Sequence, residues 1–396
     1  MSGRPLLSRL LPVLLLVPLA LAPARGLARG QVLFELEDPK GDDDGAGDLI
    51  YPNRDDFQPG DLDLVRFSAE QRDDGVWFAV EMAQAIRDPV GRVTEFGQLP
   101  VDRLARHGFY TFNVDIYVDE DRVAGSGETR TVPGRGVAVD RQYAWERCIV
   151  LTPRPDAART MLQLAFDQEL EAELQSRQGR VSKEDVDRLQ ARSEAIVGER
   201  YFFPSRIRVM GRRIEFLVPA EFLGSVPRPS WGYTVLVTGV DLESAGRPGQ
   251  LVPAKPEMMV MSVARGNRPS QFGIRGDADA ATPPVVDLLA GDEDTQVRVL
   301  SDYDMVAGRL AAIPAVAPDG SASLAASGAP VTSSQSASIA AAASSGAAPT
   351  TGGAPAAPAE RRTVPARLRT LNELLEQGLI TQDEYNTLRR KILAEL

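Results

Sequence analysis

The 396-residue sequence predicts a mainly β fold: an antiparallel β-sandwich with an inserted helical hairpin, followed by a disordered linker and a small C-terminal helical hairpin. Three observations predict it. From Val32 to about Val316, short runs of alternating apolar and polar residues recur between Gly- and Pro-containing turns, the pattern of strands in two packed sheets. Between 157 and 200 that alternation gives way to helical spacing. From about Ala317 to Glu360 the chain is almost wholly Ala, Ser, Gly, Pro and Thr, too little apolar bulk for a core and hence a linker over 317–360.

Residues 1–30 have the order of a secretory signal peptide. Arg4 and Arg9 precede the apolar run Leu10 to Leu21, and the small residues Ala22, Ala24, Gly26, Ala28 and Gly30 follow. The run falls short of the roughly 20 apolar residues a spanning helix needs, and Pro12 and Pro18 interrupt it. Every later apolar run is broken by charge, Gly or Pro. The expectation is an exported protein without a membrane span, periplasmic or secreted.

In the β region, Val76, Phe78, Val80 and Met82 alternate with Trp77, Ala79 and Glu81 directly after the turn Asp73-Asp74-Gly75. The clearest strand runs from Phe109 to Asp119. It sets Tyr110, Phe112, Val114, Ile116 and Val118 on one face and Asn113, Asp115, Tyr117 and Asp119 on the other. The first face is core; the second reads as a polar binding face. Ile207 and Val209, a turn at Gly211, then Ile214, Phe216 and Val218 make a further hairpin, and Tyr233 to Val240 and Met258 to Val263 extend the pattern.

The inserted hairpin is read from Leu162, Phe166, Leu170 and Leu174, then Val186, Leu189, Ile196 and Val197, with a turn at Gly179. Ser182 and Asp185 approximate a capping box, and Val181 and Val186 are placed as its staple. At the far end, Leu368, Leu371, Leu374 and Leu375 form a stripe ending at Gly378. Thr381 and Glu384 then cap a second helix carrying Tyr385, Leu388, Ile392 and Leu393. A unit as short as 364–396 buries little surface alone, so it is expected to pack on a protein partner, a second copy or the β body.

A formal charge of −11 argues against nucleic acid and anionic membranes and is compatible with divalent cations and neutral glycans. Cys148 is the only cysteine, so no internal disulfide is available. His107 is the only histidine. Multi-histidine zinc sites are therefore excluded, and a Ser-His-Asp or Cys-His site would have to use this one residue. Between Arg106 and Gly108 it reads as a solvated loop residue without a role. Carboxylate pairs are too abundant here to mark a glycosidase, and no stretch can hold a separate catalytic barrel of about 250 residues. Haem would have to use His107 or a methionine at 258, 259 or 261. No enzyme is expected.

Asp38, Asp42, Asp43 and Asp44 lie among Gly41, Gly45 and Gly47. Hard oxygen ligands on a tightly folding backbone are what calcium requires, although the register is not that of an EF-hand. An acidic turn without an ion is the alternative. Sugar rings stack on aromatic faces, which makes Trp77, Trp145, Trp231 and Tyr117 candidates. Trp145 and Trp231, at strand entries, read also as core. Tyr117 stands out because Asn113, Asp115 and Asp119 share its face.

Three stretches carry a family resemblance. The first is Phe34-Glu35-Leu36-Glu37-Asp38-Pro39-Lys40-Gly41-Asp42-Asp43-Asp44-Gly45 with Tyr51-Pro52 and Pro59-Gly60-Asp61-Leu62-Asp63-Leu64. The second is Val114-Asp115-Ile116-Tyr117-Val118-Asp119 with Trp145. The third runs from Phe272-Gly273 through Pro284-Val285-Val286-Asp287-Leu288-Leu289 to Ser301-Asp302-Tyr303-Asp304. In this order they resemble the C-terminal, glucodextranase-like binding domain of secreted bacterial amylolytic proteins, a relative of DOMON-type and family-nine carbohydrate-binding sandwiches. The resemblance covers most of 32–316, with the helical hairpin as an addition. It implies a non-catalytic module for a polysaccharide such as an α-glucan. Leu374-Leu375, Gly378-Leu379-Ile380-Thr381, Glu384-Tyr385 and Arg389 resemble the SHOCT, or short C-terminal, domain, which implies an interaction or oligomerisation element. A cell-envelope structural or protein-interaction protein without sugar binding is the alternative reading.

Overall fold

A computed structural model describes residues 30–93, 100–178, 182–242, 258–266, 268–275, 282–304, 307–321 and 331–332. The chain divides into two units, Met1–Ser338 and Ile339–Leu396. The signal-peptide segment 1–29, most of the 317–360 linker and the 364–396 hairpin lie outside the described residues.

Among the described residues, ten strands make up the two main sheets, numbered here in chain order: β1 Gln31–Glu37, β2 Leu64–Arg72, β3 Gly75–Met82, β4 Phe112–Asp119, β5 Arg147–Leu151, β6 Tyr201–Phe202, β7 Ile207–Met210, β8 Arg213–Val218, β9 Gly232–Gly239 and β10 Asp287–Leu288. They form two five-stranded sheets, ordered β1-β2-β3-β8-β7 and β10-β9-β4-β5-β6. All pairings in the two are antiparallel except β5 with β6.

Alternation decides what lies between the sheets. Phe67, Phe78, Val80 and Phe216 from the first sheet meet Val114, Ile116, Val118, Ile149, Val235 and Val237 from the second. Phe67 stacks on Phe78 with centroids 5.8 Å apart, and Phe78 on Phe216 at 6.0 Å. Phe34 bridges the layers, its ring 4.7 Å from Tyr233.

The strand predicted from Phe109 begins at Phe112. Tyr110 packs instead with Val101, Ala105, Val240 and Leu242, outside the sandwich core. The predicted helical hairpin is present as α1 Pro155–Gln178 and α2 Lys183–Arg200. Ser182 and Asp185 make the capping box in both directions. Val181, half of the predicted staple, lies outside the described residues. Residues 317–321, read as linker, continue the body: Ala317 is buried, and the Asp319 N–H bonds the Pro229 carbonyl at 3.0 Å. Val331–Thr332 pair with Arg309 and Leu310.

Antiparallel sheets commonly leave one face in water. The second sheet does not: every residue of β4 and β9 is buried. Leu162, Ala165, Phe166 and Leu170 on α1 are buried, with Phe166 against Tyr201 of β6 at a centroid distance of 5.9 Å. Elsewhere Thr234 donates from its hydroxyl to the Pro314 carbonyl at 3.2 Å. The segment Arg309–Ile313 runs parallel to Val137–Val139 in the same outer layer. Among the described residues, no helix is long and apolar enough to cross a membrane.

Candidate functional site

The polar row on β4 was the expected binding face, and the outer layer removes it from solvent. Tyr117 is 1% exposed, and its hydroxyl accepts the Val132 N–H at 2.9 Å. Asn113 is buried and donates to the Thr238 hydroxyl. Asp115 receives Arg135. Trp145 sits between Tyr117 and Tyr201, tilted to the first and edge-on to the second with both centroids at 5.4 Å, and its Nε1 donates to the Arg130 carbonyl. Trp231 is part of the inter-sheet core. Tyr117, Asn113, Trp145 and Trp231 therefore offer no surface to a sugar ring. This face is covered by the segment shortly after β4 that carries Val132 and Arg135 and by more distant elements, and strand alternation alone carried no sign of either. Beside α1 a cleft of about 150 Å³ is lined by Arg130, Thr131, Pro133, Phe166 and Glu169, well below the roughly 300 Å³ at which ligand pockets begin.

Trp77 sits differently. On β3 it points away from the core, onto the outer face of the first sheet beside Glu70 and Arg72 of β2 and Glu215 of β8. The guanidinium groups of Arg72, Arg206 and Arg208 lie 4.8, 5.1 and 4.7 Å from its ring centroid. Its Nε1 donates to Asp74 Oδ1 at 2.8 Å. Arg72 pairs with Glu70 and Glu215, and Arg206 with Asp74. The indole is buried, but its roof is made of charged side chains, with Arg208 exposed, rather than of packed backbone.

The acidic loop gathers part of what was expected. Asp38, directly after β1, and Asp42 come together with Asp287 of β10, one carboxylate oxygen of each within 4.8 Å of the others. Asp43 and Asp44 turn elsewhere: Asp43 accepts from the Tyr51 hydroxyl and from the Gly60 N–H, and Asp44 pairs with Arg275 at 3.2 Å. Fixed backbone donors hold the cluster. Asp38 Oδ1 accepts the N–H groups of Ala290 and Gly291 at 2.8 and 3.0 Å. Asp287 accepts those of Leu64 and Leu288 at 2.6 and 2.7 Å. The Gln296 amide clamps the loop, donating to the carbonyls of Asp42 and Gly45 while accepting from Leu288.

Burial pushes the Asp38 carboxyl up to about 8, against the Ala290 and Gly291 donors and with Asp42 and Asp63 adding repulsion. Asp63, just before β2, is raised to about 6, chiefly by burial. Asp287 is also raised, by burial first and then by Asp38 and Asp42. Like charges are thus confined in a poorly solvated volume, the condition that a divalent cation relieves. Asp63 and Asp287 were not among the candidate residues read from the sequence. Their distance along the chain from the loop left no local spacing to read.

Residues 33–315 match the family described as the C-terminal binding-module, SLH-like, of glucodextranase, and residues 366–393 match the short C-terminal domain, SHOCT. The chain belongs to the glucodextranase C-terminal binding-module family. This family is one of binding modules, not of catalytic domains. No curated protein sequence matches the chain.

Two further features of this binding module bear on its chemistry. His107 is half-buried, not fully solvated as expected, and burial holds its imidazole below the ordinary value against the opposing Asp156 carboxylate. Asp119, Asp121 and Glu146 form a second acidic group. Asp119 accepts from Arg122, Asp121 from Val123 and Ser126, and Glu146 from Glu120 and Ser126. The group is a hydrogen-bonded turn.

Proposed function

We propose that this protein is an exported, non-catalytic module that binds a polysaccharide, with α-glucan the first class to test, through the outer face of the first sheet around Trp77. The family match over the sandwich carries the reading. Of the four aromatic residues picked out for sugar stacking, Trp77 alone lies on the outer face of the first sheet under the guanidinium groups of Arg72, Arg206 and Arg208, and on this reading a sugar displaces them to reach the buried ring. The Arg and Glu groups around it supply the oriented donors and acceptors that hydroxyl recognition uses. The signal-peptide pattern of 1–30 supports export. The hairpin at 364–396 serves as a handle for a second copy or a protein partner.

The test is a pull-down of the full chain on insoluble polysaccharides together with a glycan array. Retention on at least one polysaccharide is expected, and it should weaken in Trp77→Ala. Uniform absence of binding overturns the reading. The burial of Tyr117, Trp145 and Trp231 favours a second one, an envelope interaction protein without sugar binding. On that reading the pull-down is negative, and deleting 364–396 changes the oligomeric state or the co-purifying proteins.

A further inference from the structure

We propose that Asp38, Asp42 and Asp287, supported by Asp63, form a site for one divalent cation, calcium by its oxygen-only donor set. The three carboxylates already converge within 4.8 Å. They come from the end of β1, the loop after it and β10 of the opposite sheet, so an ion here would tie the first strand to a segment about 250 residues away.

The backbone donors engage one side of the site and leave oxygens over. Asp38 Oδ2 makes no hydrogen bond among the described residues. An independent observation points to a ligand as well. Asp63 is 1% exposed; its Oδ2 takes the Gly41 N–H at 2.7 Å, while its Oδ1 has no hydrogen-bond partner. Its charge acts on both Asp38 and Asp287. Buried carboxylate oxygens are rarely left without a donor, because desolvation then goes uncompensated. Among the described residues no Arg or Lys comes within ion-pair distance of Asp38, Asp63 or Asp287, and the Lys40 charge that acts on Asp63 is outweighed there by burial. Calcium takes six to eight oxygens in flexible geometry and tolerates a mixture of carboxylates, carbonyls and water, whereas magnesium demands a near-ideal octahedron. An irregular set of carboxylates drawn from three segments fits the former.

This site is independent of glycan binding, and its test does not use a sugar. The purified full chain is assayed for bound metal, stripped with chelator and titrated calorimetrically with calcium and, separately, magnesium. One calcium per chain is expected, with a melting temperature higher by roughly 5–10 °C at a hundredfold excess over Kd. Asp38→Asn keeps an oxygen for Ala290 and Gly291, yet it should weaken calcium at least tenfold. In chelator it should melt no lower than the parent, because a neutral amide carries no charge to desolvate. Asp42→Asn should act in the same direction, and Asp44→Asn should keep the full response. The proposal is overturned if the parent chain binds neither ion and melts identically with and without chelator, or if Asp38→Asn and Asp42→Asn retain parental calcium affinity. Tighter binding of magnesium overturns the calcium assignment.

Discussion

Arg135 and Asp115 meet in a two-pronged ion pair behind the second sheet: Nε donates to Oδ2 at 2.5 Å and Nη2 to Oδ1 at 3.0 Å, with side chains 1% and 0% exposed. Burial alone would lower the guanidinium, but the carboxylate beside it holds it above its ordinary value. The remaining Arg135 donor bonds the carbonyls of Pro133 and Met258. The pair thus fixes the 132–135 loop, the 258 segment and β4 at one point. Removing one partner strands the other charge. Asp115→Ala should cost about 3–5 kcal/mol, whereas Asp115→Leu with Arg135→Met should recover much of that. Denaturant unfolding of the parent and the two variants measures both.

Trp145 should behave as core. Trp145→Ala removes the ring between Tyr117 and Tyr201 and should cost about 3–5 kcal/mol. Its folded fraction should bind polysaccharide as the parent does. Trp77→Ala should show the reverse pattern: a smaller loss of stability, since arginine stems can partly refill the site, and weaker retention. Equal retention by parent and Trp77→Ala would remove the outer-face site.

Cys148 is buried beside Tyr117 in the β4–β5 pairing, and burial pushes its thiol well above the ordinary range. Because the thiolate is the nucleophile, native protein should resist a thiol reagent. One equivalent should react once the chain is unfolded, and rapid labelling of native protein would contradict the packing.

The His107 imidazole is held below its ordinary value by burial, so the unfolded chain takes up the proton first as pH falls. Its contribution is complete above the unfolded value of about 6.5 and is lost as pH drops through the lower folded value. Between pH 7.5 and 5.5 the parent should therefore lose more stability than His107→Gln. Urea midpoints at the two pH values give the comparison.

Much of the local structure was legible. The alternation around Phe78 and Val114 names the inner faces of β3 and β4 because one side of each strand is uniformly apolar. The Ser182–Asp185 cap was readable because capping depends on a few consecutive residues. Tyr117 and Asn113 show the limit. Polar residues alternating with apolar ones mark a solvent face only if nothing packs over it, and here α1, the 128–140 segment and 309–313 do.

The acidic loop divides in the same way. Sequence by itself determined a family, a sandwich, a helical insertion and a carboxylate-rich segment after β1, because each is encoded in short-range pattern or in ordered motifs. Tertiary structure decided which carboxylates face one another: Asp38 and Asp42 turn inward to Asp287, while Asp43 serves Tyr51 and Gly60 and Asp44 pairs with Arg275. It also decided that the second sheet is sealed and that Trp77 lies on the first sheet's outer face. Both follow from packing between segments remote in the chain, where burial and charge repulsion depend on neighbours that no local spacing records.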